Sequence, residues 1–276
     1  MAPSNSTVTL ANGVAMPLLG LGTWPMNDAE AERAVASALG LGYRLIDTAE
    51  NYANERGVGR GIRAAGIPRE QLFVTSKFNR QWHSIAGAAQ ACDASLQRLG
   101  LDYLDLLLIH WPNPDQGHYV DAFAGLQKLL EAGKVRAIGT SNFKPAHLQQ
   151  LFAAGMVPHH NQIQLDPYHR RQALTDLHAA HGISTGAWSP LGRGGALLTD
   201  AAIVEIAARL GKTPPQVVLR WQVQHGFIAT PKSADPTRQA QNLAVFDFTL
   251  TDDDMARLDR LDRPDPDMLD ADHFGH

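Results

Sequence analysis

The chain has 276 residues, 44% hydrophobic and 19% charged, with a formal net charge of −4. That is ordinary globular composition, with length enough for one large core. It offers no arginine-rich arm for nucleic acid and no apolar run of the roughly 18 residues that would read as a membrane span. The lone cysteine, Cys92, has no intrachain partner, so a reduced, cytoplasmic setting is expected. The start, Met1 to Ser6, is polar and does not read as a secretory leader.

In chain order, Thr7 to Met16 places Asn12-Gly13 between two short runs, a hairpin signal. Strand-like runs then follow at Leu18–Gly22, Tyr43–Asp47, Leu72–Ser76, Leu104–Ile109, Val135–Gly139, Asn161–Leu165, Ser184–Trp188 and Phe227–Thr230. Helical patterns fill the gaps at Ala29–Leu39, Glu55–Ala65, Ala86–Leu99, Tyr119–Ala132, Ala146–Ala154, Ala173–His181, Ala201–Leu210 and Thr237–Asn242. Pro215–His225 and Thr251–Leu261 read as extra helices, the second opening on a Thr-Asp-Asp-Asp cap. A strand followed by a helix, repeated about eight times, predicts a parallel sheet with right-handed crossovers. No Pro/Gly/Ser-rich linker divides the chain. The expectation is therefore an α/β fold: a (β/α)₈ TIM barrel over residues 1–276, preceded by a β-hairpin that closes its bottom and carrying extra helices near the C-terminus.

Chemistry in such a barrel sits at the carboxyl ends of the strands. Asp47, Lys77 and His110 each close a strand, and Tyr52 lies just beyond one. A lysine that ends a buried strand needs a partner, and Asp47 is the nearest candidate in strand order. Tyrosine, with a pKa of about 10, is a poor acid at neutral pH, but a neighbouring ammonium favours the phenolate. Lys77 is therefore expected to lower the value of Tyr52. Tyr52 and His110 could both donate to an oxygen that gains negative charge, and Tyr52 could deliver a proton.

The stretch Gly42-Tyr43-Arg44-Leu45-Ile46-Asp47-Thr48-Ala49-Glu50-Asn51-Tyr52 resembles the signature of the aldo-keto reductases. Ser76-Lys77 and Leu108-Ile109-His110-Trp111-Pro112 resemble that family's lysine and histidine segments. Gly139-Thr140-Ser141-Asn142-Phe143, Asn161-Gln162-Ile163-Gln164, Trp188-Ser189-Pro190-Leu191-Gly192 and Pro231-Lys232-Ser233 with Arg238 and Asn242 resemble its cofactor segments. The likeness runs from about Thr7 to about Leu261 and is nearest to the bacterial branch containing the 2,5-diketo-gluconate reductases.

The resemblance implies a catalytic tetrad of Asp47, Tyr52, Lys77 and His110, and NADPH lying across the barrel mouth. It assigns Ser141, Asn142 and Gln162 to the nicotinamide carboxamide and Trp188 to the nicotinamide ring. Leu191 and the backbone from Ser189 to Gly192 go to the pyrophosphate. Lys232, Ser233 and Arg238 clasp the 2′-phosphate, for which two cations and a hydroxyl are chemically suited. Gly22, Thr23, Trp24, Gln241 and Asn242 complete the expected cofactor contacts. Trp24, Tyr52, His110 and Trp111 are the expected substrate contacts, and the partner is a small carbonyl compound. A monomer is expected, with no metal, nucleic acid or membrane partner.

Three features depart from the family's pattern. Gln164 stands where a glutamate is common, the loop after Lys77 carries Trp82 later than usual, and the loop Arg193 to Leu198 is short. The tail from Asp262 to His276 reads as a disordered end, with Phe274 a possible visitor to the pocket. Two other readings stand beside the reductase. A metal-dependent hydrolase barrel finds no His-x-His at an early strand end among the 12 histidines. A catalytically weak NADPH-binding barrel with a regulatory or structural role would not need all four tetrad positions filled. Neither Gly20-x-Gly22 nor Gly57-x-Gly59-x-Gly61 is a dinucleotide fingerprint, the second lying within a helical pattern.

Overall fold

Gly13 takes φ +85°, which a residue without a Cβ adopts freely, and turns β1 (Thr7–Thr9) back on β2 (Ala15–Pro17). The two pair antiparallel with Val8 opposite Met16. The computed structural model describes residues 6–264 and 268–276; the polar residues 1–5 read for a leader lie outside them.

Eight parallel strands follow: β3 (Leu21–Gly22), β4 (Leu45–Asp47), β5 (Phe73–Phe78), β6 (Leu104–Ile109), β7 (Val135–Ser141), β8 (His160–Gln164), β9 (Ser184–Trp188) and β10 (Ile228–Ala229). Each pairs with the next in chain order. Bridges from Leu19 to Ala229 and from Gly22 to Lys232 join the first strand to the last, so the sheet closes into a (β/α)₈ barrel. The surrounding helices are α1 (Asp28–Leu41), α2 (Glu55–Ala65), α3 (Ile85–Leu99), α4 (Tyr119–Glu131), α5 (Pro145–Ala153), α6 (Gln172–Ala180), α7 (Ala201–Leu210), α8 (Pro214–Gln224), α9 (Pro236–Leu243) and α10 (Asp252–Asp259).

The local signals act as their chemistry requires. Asn27 caps α1 in a box with Glu30, and Thr251 caps α10 in a box with Asp254. Gly57 and Gly59 serve packing: a Cβ on either would come within 2.0 Å of the Asp28 or Leu99 carbonyl oxygen, so α2 lies directly on its neighbours. Below the barrel, Leu10, Met16 and Leu18 from the hairpin segment pack with Leu45, Phe73, Leu106 and Ile228 and fill its floor. Gln162 reaches Asp47, so His160, two residues earlier on β8, faces the same interior. A Cβ at residue 186 would lie 2.4 Å from His160 Nε2; glycine there leaves room for the imidazole.

Several histidines are buried neutral. His160 is driven down to about 3 by burial, then by His178 and Lys77. Burial brings His178 and His83 each to about 4. Asn161 Nδ2 donates to His178 Nε2 at 2.9 Å, which leaves Nδ1 as the donor to Thr185 Oγ1 at 2.9 Å. All three folded values lie below that of an unfolded histidine, so the unfolded chain binds more protons as pH falls. Their contribution is complete above about pH 6.5 and is lost progressively toward pH 4. The melting temperature is expected to fall between about pH 7 and pH 5, and His178→Asn should flatten that slope; a melting curve indifferent to pH over this range would contradict neutral burial.

Candidate active site

Parallel strands of unequal length bring side chains from distant parts of the chain to one end of the barrel. β5 carries Lys77 into the interior, where it is 1% exposed. Its ammonium has three N–H donors, and each has an acceptor. Nζ donates to Asp47 Oδ1 at 2.6 Å, to the Thr48 carbonyl oxygen at 2.9 Å, and to Tyr52 Oη by a longer bond of 3.4 Å. Asp47 is held from its other oxygen by Gln162 Nε2 at 2.8 Å. The rings of Tyr52 and His110 meet edge to face with centroids 5.8 Å apart.

The electrostatics follow from this packing. Burial alone would lower the Lys77 ammonium, but Asp47 and then Tyr52 more than offset it and hold the group above its ordinary value. For Tyr52, burial raises the phenol, Lys77 pulls it down, and Asp47 raises it again; the net direction is upward. The expected lowering by Lys77 is therefore corrected, because desolvation of the ring outweighs the ammonium. The phenol stays protonated throughout the neutral range, as a proton donor must. His110 is held well below the usual imidazole value by burial, then Lys77 and His276, so it is neutral and can offer one N–H.

Among the other sequence-predicted residues, Thr23, Ser141, Asn142 and Trp188 are linked to this cluster by hydrogen bonds. Ser141 Oγ donates to the Gln162 carbonyl oxygen at 2.9 Å, and Asn142 Nδ2 donates to Ser141 Oγ and to the His110 carbonyl oxygen, both at 3.1 Å. Trp188 is half-buried and donates from Nε1 to Asn142 Oδ1 at 2.7 Å. Ser189 at φ +47° and Gly192 at φ +61° turn the following loop beside Leu191. Thr23 is buried with its hydroxyl on the Asp47 carbonyl oxygen at 3.0 Å, while Trp24 stands 52% exposed at the rim. A Cβ on Gly22 would lie 2.5 Å from the Thr230 carbonyl oxygen, so its backbone seals the barrel seam. Lys232, Arg238 and Gln241 are exposed, and Ser233 and Asn242 are buried. Arg238 is 3.8 Å from Asp235 with its side chain 72% exposed, too loose an ion pair to hold the guanidinium.

Sequence reasoning missed three elements: the Thr48 carbonyl, the bond from Gln162 to Asp47, and the tail. The tail does not trail away in its described part. Trp111, 5% exposed, meets Phe274 edge to face at 4.7 Å, and His276 lies 5.7 Å from the His110 ring. Lys144 Nζ donates to Asp270 at 2.5 Å and to Asp272 at 2.6 Å. His147 Nδ1 accepts from the Lys144 backbone, so Nε2 faces Asp272 at 2.9 Å as the N–H. A cavity of about 230 Å³ remains between this segment and the strand ends, lined by Asn142, Trp188, Lys144 and Arg171 among others. Trp111 Nε1 and His110 Nδ1 are buried without a partner among the described residues.

The family model of the Aldo/keto reductase family matches residues 18–263. The chain belongs to the aldo/keto reductase family. An aldo-keto reductase of Mycobacterium sp. (strain MCS) is 48% identical over 266 residues, covering 94% of each chain. The 2,5-diketo-D-gluconic acid reductase B of Corynebacterium sp. (strain SHS752001) is 45% identical over 262 residues, covering 95% of each. Among solved structures, a mutant of Gox0644 in complex with NADPH superposes at a TM-score of 0.94, with 40% identity, 98% of this chain covered and 99% of that one.

Membership of this family implies a nicotinamide cofactor. A half-buried aromatic plate, a polar trio on β7, β8 and the residue after β7, and two exposed cations, Lys232 before α9 and Arg238 on it, form a donor set that suits an extended dinucleotide phosphate. Asn142 is already bonded on both sides, so a carboxamide held there would have to displace Trp188 Nε1 from Asn142 Oδ1. The residues fit the group.

Proposed function

We propose that this aldo/keto reductase reduces small aldehydes, ketones and dicarbonyls to alcohols with NADPH, Tyr52 giving the proton. The observation that carries the reading is the full use of the Lys77 ammonium. Because Lys77 donates to Tyr52 Oη, the phenol's own hydrogen is directed away from Lys77 and is free for an incoming oxygen. Reduced nicotinamide, when bound, supplies the hydride to the carbonyl carbon. Tyr52 donates to the oxygen as negative charge builds there, and neutral His110 offers a second hydrogen bond to orient it. Asp47 fixes Lys77, and Gln162 fixes Asp47. The phenolate left after transfer lies against the ammonium until solvent returns its proton.

Ser141, Asn142, Gln162 and Trp188 are proposed to hold the nicotinamide end, Ser189, Leu191 and Gly192 the pyrophosphate, and Lys232, Ser233 and Arg238 the 2′-phosphate. Gly22, Thr23, Gln241 and Asn242 support these contacts, and Trp24 and Trp111 line the substrate's approach. We further propose one catalytic unit over residues 1–276, acting as a monomer in the cytoplasm; sedimentation equilibrium checks the first state and cell fractionation the second. A carbonyl panel followed by loss of NADPH absorbance tests the activity, and absence of turnover across aldehydes, ketones and dicarbonyls would overturn it. Lys232→Ala combined with Arg238→Ala is expected to weaken NADPH by roughly a hundredfold, two charge-assisted contacts being lost, and NADH by far less. Equal losses for both would remove these residues from the phosphate.

A further inference from the structure

The geometry points to His160 as a positioning residue for the reduction proposed above: from beneath the reacting cluster it backs the Gln162 side chain, and through Gln162 it sets Asp47 and Lys77. The inference rests on that reading and extends it below the site. The Asp47 carboxylate has two side-chain partners among the described residues, Lys77 on Oδ1 and Gln162 on Oδ2. The bond to Asp47, at 2.8 Å, is also the one hydrogen bond that the Gln162 side chain makes among them. Its aim therefore depends on what packs against its stem. His160 stands two residues earlier on β8, on the same face, and is fully buried. A Cβ built on Gly186 of the neighbouring β9 would lie 2.4 Å from His160 Nε2, 2.6 Å from its Cε1 and 3.2 Å from Gln162 Cγ. The imidazole and the Gln162 stem thus border the same small volume, and glycine at 186 leaves that volume to the ring.

The ring itself is held. Ser184 Oγ donates to the His159 carbonyl oxygen at 2.9 Å, so it accepts from His160 Nδ1 at 2.8 Å. Nε2 is then the bare nitrogen, buried with no partner among the described residues. An unpaired buried acceptor costs stability that an apolar side chain would not. What the imidazole offers in return is a flat, hydrogen-bonded wall that cannot swing away from Gln162. The tie runs from Ser184 on β9 through His160 and Gln162 on β8 to Asp47 on β4 and Lys77 on β5, across the barrel to the ammonium that donates to Tyr52.

Gly186→Ala puts a methyl where the imidazole stands and is expected to lower kcat by about tenfold, the scale of a small misplacement of catalytic groups. His160→Ala removes the wall and should lower kcat as well. Combined, the methyl at 186 enters the vacated space and itself meets Gln162 Cγ, so the double variant should turn over faster than either single variant. In a Gln162→Ala background, Gly186→Ala should change kcat no further, because the side chain it acts through is gone. A general loosening of the core does neither: its losses accumulate. All rates are read well below each variant's melting temperature, and if Gly186→Ala does not fold, His160→Ala against the double variant makes the same comparison. Single variants with the parent's kcat overturn the inference, as do a double variant slower than both and an undiminished loss in the Gln162→Ala background. A parent that turns over no carbonyl compound with NADPH overturns the proposed reduction too, whereas variant effects absent from an active parent exclude His160 alone.

Discussion

Tyr52→Phe is expected to lower kcat for carbonyl reduction by roughly a thousandfold, the scale of a lost general acid. The ring stays and only the hydroxyl goes, so the NADPH dissociation constant should move by less than about twofold. The loss should appear in kcat and kcat/KM alike, because the proton reaches the oxygen in the transition state and not in the ground state. The pH profile gives a second check. With the phenol raised by burial against the pull of Lys77, turnover should hold level through the neutral range and decline only on the alkaline side of tyrosine's ordinary value of about 10. A variant that retains near-normal turnover would remove Tyr52 from the role.

The second large effect concerns stability. Lys77 and Asp47 form an ion pair at 2.6 Å with side chains 1% and 6% exposed. Removing one member of a buried pair leaves a charge without compensation, at a cost of about 3–5 kcal/mol. Asp47→Asn and Lys77→Met are each expected to lower the melting temperature by on the order of ten degrees for a chain of this size. The double variant leaves neither charge inside and should melt higher than the sum of the two single losses allows. Because Asp47 and Tyr52 hold the ammonium above its ordinary value, the contribution of Lys77 is complete below about pH 10 and is lost only as pH rises further. Thermal melts of the three variants check this. Single variants as stable as the parent would mean that the charges are solvated.

Much of the barrel could be read from residue order because its signals are local. Near-continuous apolar runs mark strands buried on both faces, and a cap such as Thr251 with Asp254 fixes where a helix begins. Asp47, Lys77 and His110 were legible for the same reason, each standing where a strand runs out. The contact of Gln162 with Asp47 spans 115 residues and has no local trace; Gln162 read only as a cofactor ligand. The direction of Tyr52's shift depends on how much water the folded ring excludes, which no spacing reveals. The tail misled because Asp and Pro suggest solvation, yet Asp270 and Asp272 find Lys144 more than a hundred positions away, and Phe274 finds Trp111.

The fastening of that last segment has a bearing on how such an enzyme diversifies. Asp47 and Lys77, which support the proton donor, are rooted in strands of the barrel wall, whereas Phe274 and His276 are carried by a strip of chain pinned through two carboxylates, Asp270 and Asp272, to one lysine and one histidine. Exchanges within that strip can remodel the entrance while the reaction centre keeps its geometry, so tuning for a new molecule need not disturb the machinery that transforms it.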